Sequence, residues 1–167
     1  QIMNKILTVI TLYFSFLNAT IINVPSEFAT VQEGIDAAST GDTVLIAQGT
    51  YHENLFLEKE IVLASNAIGD ELSSEWLLNE NIVNTIISAP LEPVNSKYGS
   101  CLVIRNSEEL IEPTILGLTF SNGQGTSMRM VDCDETADKS SKMKAGGAIL
   151  IFKAYPKVHY NRFVENG

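Results

Sequence analysis

The chain has 167 residues, with 20 Asp and Glu against 11 Lys and Arg, for a formal net charge of −9. A hydrophobic fraction of 45% excludes a disordered chain, and two cysteines are too few for a disulfide-built miniature scaffold. The acidic balance argues against nucleic acid and anionic membrane surfaces, since both reward clustered Lys and Arg, and the length fits one domain with a real core.

Met3-Asn4-Lys5 gives a short basic start, Ile6 to Leu17 a mostly apolar run, and Ala19 a small residue after it. That order describes a secretory signal peptide over residues 1–19, followed by an extracytoplasmic domain over 20–167. A buried strand or an uncleaved anchor are the alternatives. The run is shorter than the ~20 residues a spanning helix needs, so no membrane span is expected in the mature segment.

Thr30-Val31-Gln32-Glu33 reads as a capping box, and Val31, Ile35 and Ala38 then share one helical stripe. Thr40-Gly41-Asp42 ends that helix. Val44 to Ala47 reads as a buried strand and Gly49-Thr50-Tyr51 as a turn. Glu53 to Leu57 and Ile61 to Ala64 follow as short strands. Residues 66–83, with the single Trp76, are irregular or a short helix. Strands resume at Thr85 to Ser88, Leu102 to Ile104, Ile115 to Phe120 and Ala148 to Phe152, with a last one near Val158 to Tyr160. No helical period separates these strands, so the expected class is all-β.

An internal repeat sharpens that class. Pro113-Thr114-Ile115 through Phe120, Asn122 and Gly123 aligns with Pro156-Lys157-Val158 through Phe163, Asn166 and Gly167, with one residue inserted before the end. The prolines are 43 positions apart, and the polar stretch Gln124 to Lys144 reads as a loop insertion. Removing it leaves a coil of about 22 residues, inside the range of about 20–50 that marks solenoids. A right-handed parallel β-helix with a short N-terminal capping helix is therefore expected. An antiparallel sandwich with two similar hairpins is the alternative.

Phe28 to Ala38, then Gly41-Asp42-Thr43-Val44-Leu45-Ile46, then Gly49-Thr50-Tyr51-His52-Glu53-Asn54 resembles the opening of the pectin-lyase-like superfamily. The resemblance implies a right-handed parallel β-helix whose helix caps the N-terminal end. It implies little about activity, because the same opening precedes esterases, lyases and non-catalytic proteins. Pectin methylesterases are most similar there, but no segment matches their acidic, arginine and glutamine motifs, so the catalytic residues are unknown. Gln32 is assigned to the cap. Gly146-Gly147-Ala148-Ile149 with Phe163-Val164-Glu165-Asn166 is similar to the repeats of polymorphic outer-membrane proteins, which implies surface display.

Individual candidates are few. Asp132, Asp134, Glu135 and Asp138 crowd into the insertion, but the spacing fails a calcium-loop template and Lys139, Lys142 and Lys144 follow, so a solvated loop is expected. No metal and no cofactor are predicted. His52 and His159 are the only histidines, and neither has a second catalytic group placed beside it by motif. Cys101 and Cys133 either pair after export or remain thiols, with thiols preferred. Arg105, Arg129 and Arg162 are a thin supply for acidic sugars, and Tyr51, Tyr98, Tyr155 and Tyr160 show no regular stacking platform.

The expected function is an exported scaffold, non-catalytic in this segment, presenting a surface for glycan or cell-surface interaction, with polysaccharide or cell-surface glycan as the expected partner. The alternative is the N-terminal part of a lyase, esterase or hydrolase with its active rungs beyond residue 167. No capping helix or polar terminal strand precedes Gly167. A longer parent protein is thus expected, with further rungs or self-association covering the C-terminal end.

Overall fold

The computed structural model describes residues 19–93, 97–131 and 140–167. Its regular structure is mostly β, arranged in three parallel sheets and one antiparallel sheet. The first sheet runs β1 (Ile21–Val24), β2 (Thr43–Ile46), β5 (Val62–Ser65), β9 (Thr114–Leu116) and β14 (Lys157–His159). The second runs β3 (Gly49–His52), β6 (Thr85–Ser88), β10 (Thr119–Ser121) and β15 (Arg162–Val164). The third runs β4 (Leu55–Leu57), β8 (Leu102–Arg105) and β13 (Ile149–Phe152). From β2 onward the chain visits these sheets in rotation, first, second, third, and returns to the first one strand further along.

The rotation is interrupted on two sides. Residues 66–84 form two 3-10 turns (Asn66–Gly69 and Trp76–Leu78) and a one-turn helix, α2 (Glu80–Val83). The second interruption corrects the expected polar loop at 124–144. It is an antiparallel hairpin of β11 (Gly125–Val131) and β12 (Ser140–Ala145), bordered by β7 (Tyr98–Gly99). Thr126 to Val131 oppose Ala145 to Ser140 in unbroken register, and that ladder satisfies backbone groups a long polar loop would leave to water.

Two further corrections come from backbone geometry. The expected turn at Gly49-Thr50-Tyr51 is strand β3, because Gly49 to His52 lie in parallel register with Thr85 to Ser88. Ile115 to Phe120 is two strands, β9 and β10, because Gly117 turns the chain with φ +70°. A Cβ at Gly117 would sit 2.8 Å from Ser65 Oγ, so both the dihedral and the space require glycine.

The repeat appears as register. Thr114 lies opposite Lys157 and Thr119 opposite Arg162, an offset of 43 that holds through both strands. Inward side chains line up accordingly. Val44, Leu63 and Ile115 form one fully buried row, with Val158 next in register. Ile87 and Phe120 form a second, and Leu57 and Ile104 a third. Each such side chain contributes about 1.5–3 kcal/mol by leaving water.

Helix α1 (Val31–Ala37) packs against β1, β2 and β4 with the expected capping box between Thr30 and Glu33. Long-range contacts do more to fix it. The Glu53 carboxylate accepts from the amides of Val31 (2.9 Å) and Gln32 (3.0 Å). The Lys59 ammonium donates to the carbonyls of Ile35 (3.1 Å), Asp36 (2.6 Å) and Ala38 (2.7 Å) at the other end. Gln32 accepts from Phe56 N–H at 2.8 Å and donates to Phe56 C=O at 3.2 Å, standing in for a strand beside β4. Gln32 therefore belongs to the cap, as its sequence context indicates.

Candidate functional site

The outer face of the third sheet carries a surface cleft built by strand register. Alternation along each strand turns Leu57, Ile104 and Ile151 toward the core row and leaves the following Glu58, Arg105 and Phe152 outward. Parallel register brings those three into one row across the sheet. With Asn106, Ser107 and Lys153 they line a cleft of about 340 Å³.

Arg105 is its centre. Its Nε donates to Glu58 Oε1 at 2.8 Å, and its guanidinium carbon lies 5.8 Å from the Phe56 ring centroid. The hydrogen bond to Glu58 raises the affinity of Arg105 for its proton, so the group stays cationic. Tyr98 meets Phe56 edge-on, centroids 4.9 Å apart and 89° between planes. Lys153 Nζ sits 5.9 Å from the Phe152 centroid. Asn106 donates to Glu58 C=O at 3.1 Å and accepts from the amides of Glu108 (2.8 Å) and Glu109 (3.3 Å), which shapes the turn on the rim.

Both partners of the Glu58–Arg105 pair are about half exposed, at 55% and 45%. Such a pair contributes at most about 1 kcal/mol to folding. The pair lines the cleft beside the half-exposed Phe152 ring and a second cation, Lys153. That set suits binding by hydrogen bonding and stacking. A second, more open cleft of about 260 Å³ lies along Glu71, Ser73, Glu75, Trp76 and Asn79. Its Trp76 reaches Tyr160 edge-on at 5.6 Å.

The candidates read from sequence are scattered. His52 is exposed at the end of β3, opposite Ser88, and His159 is exposed on β14, opposite Leu116, in a different sheet. Cys101 is a buried thiol whose Sγ donates to Ser121 C=O at 3.1 Å, and burial pushes its pKa up. Asp132, Cys133, Asp134, Glu135 and Asp138 lie outside the described residues, as do residues 1–18, on which the expected signal peptide over 1–19 falls. Among the described residues no three His, Cys, Asp or Glu side chains converge as a metal site. No described helix is long and apolar enough to cross a membrane.

Sequence reading singled out Arg105 only as one of few arginines and passed over Glu58, Asn106, Ser107, Phe152 and Lys153. The available signal was alternation: each of Glu58, Arg105 and Phe152 directly follows an inward Leu or Ile at the end of its strand. Compared with known proteins, the chain matches no protein-family model, no curated protein and no solved structure.

Proposed function

We propose that the chain is an exported right-handed parallel β-helix, similar to the pectin-lyase-like superfamily, that serves as a non-catalytic scaffold. Its outer face binds polysaccharide or cell-surface glycan through the cleft around Arg105. The rotation of the chain through three parallel sheets supports the architecture. The likeness of the opening segment supports the family, since Gln32, Asp42, Glu53 and Asn54 of that segment all hold the start of the stack together. Asn54 does so by donating to Ser100 C=O at 2.9 Å.

The observation that carries the binding role is the row Glu58–Arg105–Phe152. Sugars present hydroxyls that need paired donors and acceptors, and C–H faces that rest on aromatic rings. This row supplies both, on a sheet whose register holds the side chains a fixed distance apart. Rigid placement limits the ordering cost of binding.

A glycan array probed with the purified chain tests the proposal. Binding to one class of glycan is expected, weakened about tenfold, the loss of about 1.4 kcal/mol, in Arg105→Ala and in Phe152→Ala. An array with no bound glycan, or binding untouched by both substitutions, overturns it. Release of cleaved or de-esterified sugar by the wild-type chain would favour the alternative, a carbohydrate-active enzyme.

A further inference from the structure

Residues 66–84 leave the stack between β5 and β6 and return to it as a clasped loop. Ala67 and Ile82 are fully buried, which fixes both ends. The Asp70 carboxylate accepts from Asn79 Nδ2 at 2.9 Å and from Asn81 Nδ2 at 2.8 Å, closing the stretch between them. Inside the clasp, Trp76 N–H donates to Ser73 C=O at 3.2 Å and Leu78 N–H to Glu75 C=O at 2.9 Å. The loop is thus preformed, and little ordering is left to be done when something binds it.

Its tip is apolar. Leu77 and Leu78 are 52% and 76% exposed. Leu72, Trp76 and Leu78 line the cleft of about 260 Å³ together with Glu71 and Glu75. No residue of β13, β14 or β15 lines it, so this surface belongs to the loop itself. A single exposed leucine is ordinary, but neighbouring apolar side chains rimmed by polar ones mark a contact surface.

The charges around the tip have one sign. Residues 66–84 carry Asp70, Glu71, Glu75 and Glu80, and no Lys, Arg or His. Among the described residues neither Glu71 nor Glu75 has an ion-pair partner. An indole beside carboxylates attracts an ammonium or guanidinium group. A lysine stem can lie against leucine while its charged head reaches the acids. A free polyamine would answer the charge but leave Leu77 and Leu78 in water. We infer that this loop docks a basic segment of another protein that also carries apolar side chains. A lysine or arginine of that segment enters the cleft beside Glu71, Glu75 and Trp76, and its apolar side chains cover Leu77 and Leu78. The site is separate from the cleft around Arg105 and does not rest on glycan binding there.

Trp76 is the only tryptophan in the chain, so its emission reports this loop alone. The full chain is titrated with a short acetylated peptide of alternating lysine and leucine. A saturable blue shift is expected, and matched peptides with glutamate for lysine, or serine for leucine, should leave the emission unchanged. Glu71→Gln combined with Glu75→Gln is expected to weaken binding about tenfold, and Leu78→Ser by a similar factor. All three side chains are exposed, so these variants retain a folded chain to measure. Glu108→Gln combined with Glu109→Gln, exposed acids beside the other cleft, should bind as wild type does. No saturable shift with the lysine–leucine peptide overturns the inference, as does binding untouched by the Glu71 and Glu75 substitutions. An equal loss in the Glu108 and Glu109 variant overturns it too, because the attraction would then follow net charge. Spermidine has no apolar side chain, and equal binding of it would overturn the assignment to a protein segment.

Discussion

Glu53 and Lys59 hold opposite ends of the same seven-residue helix from a single stretch of chain, the carboxylate at the amides of Val31 and Gln32 and the ammonium at three terminal carbonyls. A helix this short is not stable alone in water. Its dipole places partial positive charge at the first end and negative at the last, so each side chain meets the end of opposite sign. The short strand β4 between them sets the span of the clamp.

Glu53→Ala leaves two amides without their acceptor and is expected to cost about 1–2 kcal/mol, within the range for a lost cap. For a chain of this size that lowers Tm by roughly 2–8 °C. Lys59→Ala is expected to cost about 1 kcal/mol by the same reasoning at the other end. The double variant should cost less than the sum, since once one end frays the other has less ordered helix to hold. Calorimetry of the three variants checks this. Strict additivity would mean the two ends act independently.

Asp42 is the second anchor of the opening segment. Its carboxylate accepts from the Thr20 amide at 2.8 Å and the Ser39 amide at 2.7 Å. The hydrogen bond from Thr20, then that from Ser39, holds its pKa below the ordinary carboxylate value. A depressed folded pKa means the charged form stabilises the fold. That contribution is complete above the unfolded value of about 4 and is lost as pH falls through the lower folded value. Asp42→Asn should therefore lower Tm at pH 7 and flatten the acid limb of the Tm–pH curve below about pH 4. Parallel curves for wild type and variant would show that this carboxylate is not coupled to folding.

How much of this was legible follows from where each signal sits. The capping box is local, four consecutive residues, and could be read directly. The alternation of β2 and β5 and the offset of 43 between β9 and β14 are also carried by the chain itself. The turn at Gly117 was hidden because apolar residues flank it on both sides, giving one run where there are two strands. Strand β3 was hidden because Gly49-Thr50-Tyr51 is a poor strand by composition and exists through its pairing with β6. The cleft depends on lateral register: Glu58, Arg105 and Phe152 are about 47 residues apart in turn, and only the stacking of β4, β8 and β13 makes them neighbours. The grip of Glu53 on α1 spans 22 residues and leaves no local pattern.

Asn161 shows what the last repeat adds to the one before it. It stands where the preceding repeat has Leu118, and its side chain is buried against that repeat. Oδ1 accepts from the Leu118 amide at 2.9 Å, while Nδ2 donates to the carbonyls of Ile115 (2.8 Å) and His159 (2.9 Å). The amide thus bridges β9 and β14 at a turn where strand pairing stops. Asn161→Asp keeps the shape but sets a carboxylate against two carbonyls with no proton to donate. In the folded chain that charge is disfavoured, so the new group has a raised pKa, and the penalty is present at neutral pH and relieved as pH falls. We expect a loss of about 3 kcal/mol at pH 7, roughly 6–12 °C in Tm, shrinking toward wild type near the unfolded value of about 4. Thermal melts of both proteins from pH 7 to pH 4 check the sign. A deficit that stays constant with pH would show that ionisation of the new carboxylate is not coupled to folding.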